Sequence, residues 1–452
     1  MSSIITTNFS TLLAQQFINL LDVAANSYLP INRRSYVFVS IGKQTVWNES
    51  DTAPTPGQST RDLISYHDRA IVAKRISLDN VSFVVPRYNW VSGTVYSRYG
   101  CTVCPIGTPF YVLNSKGQVF KCLDNNGSVP STDEPELFLS ATSLEEPYFI
   151  TSDGYKWKYL YTLSSDQKQK FLNEQWMPVV YNRFVRAAAI NRSIDIVRIT
   201  NSGNNYVDGS SQDIITIDGD GRNAVLKANV VNGQVVDILI QNRGQDYSKA
   251  NLSFNDISGG VGQGASASVV LSPQNGHGYD PVEELYANTV MFNVDFDGSE
   301  SGLFPAENEY REVALIHNPY AYNTETLASS NIYTFYNKIL VSTGVGDYNN
   351  DEIVIQGEDL STSTFSAEVI SFDEVSNIIY VNNIRGTFNP NEPIKGLNSG
   401  AIRIAINSTP PTIQLYSGKV LFVSDKVPVT RDPDQTDRIR FILSFWKRGI
   451  ND

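Results

Sequence analysis

Three histidines, His67, His277 and His317, and three cysteines, Cys101, Cys104 and Cys122, are the residues of this chain best suited to general-base, nucleophilic or metal chemistry. General-base work needs a histidine held beside a nucleophile or a carboxylate, and a structural zinc needs four His or Cys ligands, usually paired at short spacing. Each histidine is isolated in sequence, none lies in an H-E-x-x-H or near a cysteine pair, and only convergence in space could recruit one. Cys101 and Cys104 form a C-x-x-C. No second pair completes a zinc site, and Pro105, Gly107 and Pro109 follow where a redox motif would open a helix, so the cysteines read as incidental. An odd cysteine number in a long chain argues against a disulfide scaffold and fits a reducing compartment.

Other chemistry is equally unsupported. There is no G-x-x-x-x-G-K-[ST] and no G-x-S-x-G, hence no phosphate-cradling loop and no nucleophile elbow. "GGVGQG" (259–264) looks like a dinucleotide loop but is not followed by a helical pattern. "IDGDGRN" (217–223) offers Asp218 and Asp220 as hard oxygen ligands for calcium. The further acids and bidentate Glu of a calcium loop are absent, so it reads as a plain hairpin turn. "TRDPDQTD" (430–437) is a second acidic loop, and a carboxylate pair for glycoside hydrolysis is spatial, so nothing local nominates one. The sequence therefore predicts no catalytic, cofactor-binding or metal-binding residue, no cofactor, and a protein that is not an enzyme.

The elements that position these residues are mostly strands. "DGYKWKYLYTL" (153–163) sets Tyr155, Trp157, Tyr159 and Tyr161 at period two, which puts four rings on one face of a half-buried strand. Such a stripe is a sugar or base platform in some proteins and sheet packing in most. Hydrophobic residues make up 41% and charged residues only 18%, with 24 Tyr, 21 Phe, 30 Gly and 20 Pro, the profile of sheets joined by many turns. A net charge of −12 without a Lys/Arg cluster supplies no phosphate-neutralising surface, so nucleic acid is excluded as a partner. No apolar run reaches the roughly 20 residues of a membrane span, and the first residues lack a basic start before an apolar core. The reading is a soluble chain without a membrane partner or secretion signal.

The best helix is "FSTLLAQQFINLLDVAANSY" (9–28), whose apolar residues fall on one helical face; a second is expected at 164–173. Strands are expected at 36–42, 78–90 and 118–124, with a loop from Asn48 to Thr60. Between 193 and 281 the chain repeats itself: "ITNSGNNY" (199–206) returns as "IQNRGQDY" (240–247), and "GDGRNAVLKANV" (219–230) is echoed by "GQGASASVVLS" (262–272). Each copy is too small for its own core, so the copies are expected to stack into a module projecting from the body, removable without unfolding it. A further block at 340–410 has the short strands and glycine turns of a small closed barrel or sandwich, with its flanks near Tyr336 and Thr412 close together.

Seven stretches in collinear order resemble one family, the dimeric baseplate wedge subunit of contractile-tailed, T-even-like phages, known as gene product eight. They are "YVFVSIGKQTVW" (36–47), "VVPRYNW" (84–90), "FKCLD" (120–124), "DGYKWKYLYTL" (153–163), "LYANTVMFNVDF" (285–296), "VALIHNPY" (313–320) and "GKVLFVSDKVPVTRDPDQTDRIRFILSF" (418–445). The resemblance implies an α+β, mainly β fold: β-sandwich domains with an N-terminal helix, plus two inserted small β modules. The segments are then 1–192 (helix and sandwich body), 193–281 (inserted tandem repeat), 282–339 (body continued), 340–410 (inserted barrel-like domain) and 411–452 (closing strands). It also implies a non-catalytic homodimer that contacts other baseplate wedge proteins, built in the host bacterial cytoplasm and residing in the virion tail baseplate. The rival expectation is a receptor- or glycan-binding tail protein that uses the aromatic stripe or the repeat loops.

Overall fold

A computed structural model describes residues 6–25, 35–100, 109–138, 140, 144, 146–209, 214–305, 309–432 and 434–445. Strand accounts for 44% and helix for 12%, which places the chain in the mainly β class. It divides into two compact units, one of Met1–Ala14, Ser82–Met291 and Leu443–Asp452 and the other of Gln15–Val81 and Phe292–Ile442. The stretch 1–192 thus contributes to both.

The first unit holds a four-stranded antiparallel sheet in the order Tyr111–Leu113, Gln118–Asp124, Lys156–Thr162, Phe149–Ile150. The aromatic strand is buried on both faces, where a half-buried strand was expected: Tyr155, Trp157, Tyr159 and Tyr161 are at most 4% exposed, and Lys158 and Leu160 on the opposite side are equally enclosed. Period two also breaks. Val119 pairs with Tyr161 and Phe120 with Tyr159, so Leu160 is an extra residue in the ladder. Tyr155, Trp157 and Tyr159 pack with Phe120, Cys122 and Tyr96, whereas Tyr161 leaves the stripe and joins Leu160, Val119 and Met177. Burial of each ring contributes roughly 2 kcal/mol. The second face is covered because the tandem repeat docks there: Leu123 packs on Ile196 and Val270, and Arg198 Nε donates to Asp124 Oδ2 at 2.7 Å. The repeat is therefore a covering layer with its own core around Tyr206, Leu226, Val235 and Tyr247.

The two copies exchange strands instead of stacking. Ile194–Asn204 of the first pairs with Gln263–Leu271 of the second, and Arg222–Val231 of the first with Gln234–Gln245 of the second. The internal symmetry follows the 41-residue offset between Tyr206 and Tyr247. Tyr206 lies on Gly262 and Tyr247 on Gly221, where an added Cβ would sit 1.9 and 2.3 Å from ring carbons. The matching glycine is thus Gly221, not the Gly219 that the sequence echo aligns. Asn201 and Asn242 each accept from the N–H of a left-handed glycine, Gly203 or Gly244, and each ladder is bulged at the equivalent residue, Thr200 or Gln241. The "IDGDGRN" turn links Thr216–Gly219 to Arg222–Val231, which pair with different partners, so it is not a hairpin.

In the second unit a five-stranded antiparallel sheet runs Ile332–Thr334, Ala70–Arg75, Val37–Gly42, Tyr310–His317, Lys419–Val429. Within 337–409 six strands close a barrel filled by small and branched residues such as Ile339, Val354, Val369, Ile379, Val381 and Ala405. The chain enters and leaves it side by side: Thr334 N–H donates to Thr412 Oγ1 at 2.8 Å, and Lys338 opposes Thr409. A helix at Thr60–Arg69, which the sequence reading did not anticipate, starts from a Ser59/Asp62 capping box.

The N-terminal helix spans Thr7–Ala25, and positions 26–28 of the expected helix lie outside the described residues. Between Thr7 and Leu21 its apolar residues do not share one buried face. Ser10, Thr11, Ala14 and Leu21 are inside, while Phe9, Leu12, Leu13 and Leu20 are 40–50% exposed. The segment from Thr7 to Leu21 carries no charge, so apolar spacing alone does not say which side is inward.

Candidate functional site

The chemistry-bearing groups that do converge lie between the aromatic sheet and the repeat. Lys121, from Gln118–Asp124, is fully buried with its ammonium 2.7 Å from Glu284 Oε2, 3.1 Å from His277 Nδ1 and 3.7 Å from the centroid of Tyr99. Glu284 ends a one-turn helix, Pro281–Glu284, which Asp280 caps by accepting from the Val282 and Glu283 N–H groups; its other oxygen accepts from Gly278 N–H at 2.5 Å. Asp195 Oδ1 accepts from Ser193 Oγ at 2.7 Å and from Arg243 at 3.4 Å. His277 Nε2 stands 3.9 Å from Asp195 Oδ2.

Protonation follows from the surroundings. Burial pushes His277 down and the adjacent Lys121 ammonium adds to this, so the ring is neutral at neutral pH and Nδ1 accepts from Lys121. The ring proton then sits on Nε2, facing Asp195. Burial raises the Glu284 carboxyl, but the Lys121 ammonium outweighs it and holds the group well below the usual carboxylate range. Lys158 donates to the Glu146 carbonyl at 2.8 Å, and burial pulls its ammonium down to about 8. Beside this cluster opens a cleft of about 460 Å³ lined by Glu146, Tyr148, Asp195, Ile240, Gln241 and Arg243.

A neutral histidine between a carboxylate and an ammonium is the arrangement of a base only if a nucleophile or substrate reaches it. Here His277 is 4% exposed and its Nδ1 is occupied by Lys121. The cluster therefore acts as a charge-matched strut, with donors and acceptors directed at each other.

The other sequence candidates stay apart. His67 lies in the last turn of the Thr60–Arg69 helix against Phe335 and Tyr416, and burial lowers its pKa. His317 takes a 2.8 Å hydrogen bond with Ser35 Oγ. Cys122 is a buried free thiol that burial pushes far above the ordinary thiol range, hence inert. Cys101 and Cys104 lie outside the described residues. Asp220 accepts from the Ser248 hydroxyl and from the Ser248 and Lys249 N–H groups, and those bonds, the hydroxyl first, depress its pKa. Arg431 and Asp437 of the acidic loop pair with each other over Phe304. Among the described residues, no group of three His, Cys, Asp or Glu could hold a metal, and no helix is long and apolar enough to cross a membrane. No family model and no curated protein matches the chain.

Sequence reasoning missed Lys121, Lys158, Asp195, Arg243 and Glu284. Two left a signal: Lys121 in "QVFKCLD" and Lys158 in "YKWKYLY" are charges inside apolar strands, and lysine is almost never fully buried unless paired.

Proposed function

We propose that this chain is a non-enzymatic structural component of the baseplate wedge of a contractile phage tail, mediating wedge assembly and taking part in the baseplate rearrangement that accompanies sheath contraction. It works as a homodimer alongside other wedge proteins, in the virion. The observation that carries this reading is the fate of the aromatic stripe. A sugar platform leaves its rings exposed beside polar groups; here Tyr155, Trp157, Tyr159 and Tyr161 are spent on packing. A sheet enclosed on both faces is how a sandwich layer is built, and we read the first unit's sheet in that way. The resembling stretches fall on sheet strands such as Val37–Gly42, Gln118–Asp124, Lys156–Thr162, Tyr310–His317 and Lys419–Val429, and none lies in the repeat or the barrel.

Size exclusion with light scattering at micromolar concentration tests the dimer. The expected mass is that of two 50.2 kDa chains. A single-chain mass refutes it, and a three-chain mass favours a spike-like receptor binder. One observation favours the rival glycan-binding reading, namely the polar cleft beside the repeat loop.

A further inference from the structure

The geometry points to a saccharide-binding site in the cleft between Glu146–Tyr148 and the repeat strand Gln234–Gln245, sized for one or two sugar rings. Its volume of about 460 Å³ lies within the roughly 300–1,000 Å³ of small-ligand sites. Its walls carry polar groups that folding has positioned but not consumed. Asp195 is 2% exposed, held at Oδ1 by Ser193 and Arg243, yet Oδ2 has only His277 Nε2 at 3.9 Å, beyond hydrogen-bond reach. Arg243 makes one long bond of 3.4 Å through Nη1, leaving the rest of its fork for a ligand. Gln241 is the bulge residue of its ladder, and bulges re-aim side chains.

The mixture of groups selects the ligand class. A free anion would meet the carboxylates of Glu146 and Asp195, and a cation would meet Arg243 with Lys158 behind. Hydroxyls both donate and accept, so a polyol satisfies carboxylates, guanidinium and amide together. The half-buried Tyr148 ring with Ile240 offers apolar surface for the C–H face of a sugar. The equivalent turn of the first copy has Thr200 and Ser202 in place of Gln241 and Arg243, so the site belongs to the second copy alone.

The test is binding by the full-length protein to a printed array of mono- to oligosaccharides, followed by calorimetry with the best ligand. Saturable binding is expected, weakened at least tenfold in Q241A and in R243A and unchanged in T200A at the symmetry-equivalent bulge. Melting curves check that each variant is folded, and Q241A, on an exposed bulge, keeps the test valid if R243A is unstable. No saccharide bound above background at millimolar concentration, equal affinity in Q241A, or R243-dependent binding of inorganic phosphate or calcium alone would overturn the site.

Discussion

Replacing Glu284 by Gln keeps an oxygen that can accept from Gly278 N–H but removes the charge facing Lys121. Lys121 has 0% side-chain exposure and Glu284 4%, so water cannot stand in for the lost partner. An uncompensated buried charge costs about 3–5 kcal/mol, and K121M, which strands the carboxylate instead, falls in the same range. The double variant K121M/E284Q buries no charge at this point and keeps the packing of the lysine stem, so it should lie within about 2 kcal/mol of the native chain. Urea unfolding followed by tryptophan fluorescence measures all four proteins. A coupling of at least about 2 kcal/mol is expected. The pH profile supplies a second readout. The folded pKa of Glu284 lies below its ordinary value, so its stability is present above the ordinary carboxylate range and lost as pH falls through the folded value. That acid-side loss should vanish in E284Q. Additive single-variant costs, with the double as unstable as their sum, would refute the strut.

Three further outcomes follow from the packing. G221A and G262A should each cost about 1–3 kcal/mol by driving a methyl into Tyr247 or Tyr206, and by similar amounts because the sites are equivalent; a neutral result at either in thermal melts contradicts the paired packing. Glu312 faces Asp425 across the ladder, and burial followed by that carboxylate lifts it to about 7 against the pull of Arg69. With its folded value above the ordinary 4.5, it contributes stability that is complete below that pH and lost as pH rises through about 7, at most about 3 kcal/mol; E312Q should flatten this slope, and an unchanged slope assigns it elsewhere. Excising 193–281 through a Gly/Ser linker should lower soluble yield and melting temperature, because it uncovers Leu123 and removes Arg198 from Asp124; a variant as stable as the full chain would mean that the repeat docks without contributing.

Local pattern was readable where a single strand or cap decides the outcome. The strand at 118–124 ends at the residues its pattern gave, and the helix expected at 164–173 forms at Ser165–Phe171 with Ser164 and Gln167 as a capping box. The repeat was visible from "ITNSGNNY" and "IQNRGQDY", but not the exchange of strands between copies, since both partners of a ladder satisfy the same alternation whichever copy supplies them. The strand at 153–163 looked half-buried because Lys156 and Lys158 alternate with its rings; Lys158 is buried with its ammonium donating to the Glu146 carbonyl, 12 residues away, a partner that no alternation announces. The cleft was illegible for the same reason. Glu146, Asp195 and Arg243 come from three separate segments, and no local spacing announces them.

The most direct measurement is a cryo-EM map of the intact tail particle to which the proposed function assigns this chain. The closed barrel of 337–409 and the strand-exchanged repeat give it recognisable density. Paired copies are expected within the baseplate wedges, in contact with other wedge subunits and with the aromatic strand enclosed. Density at a fibre tip or receptor-binding spike, or single unpaired copies in the wedge, would contradict it.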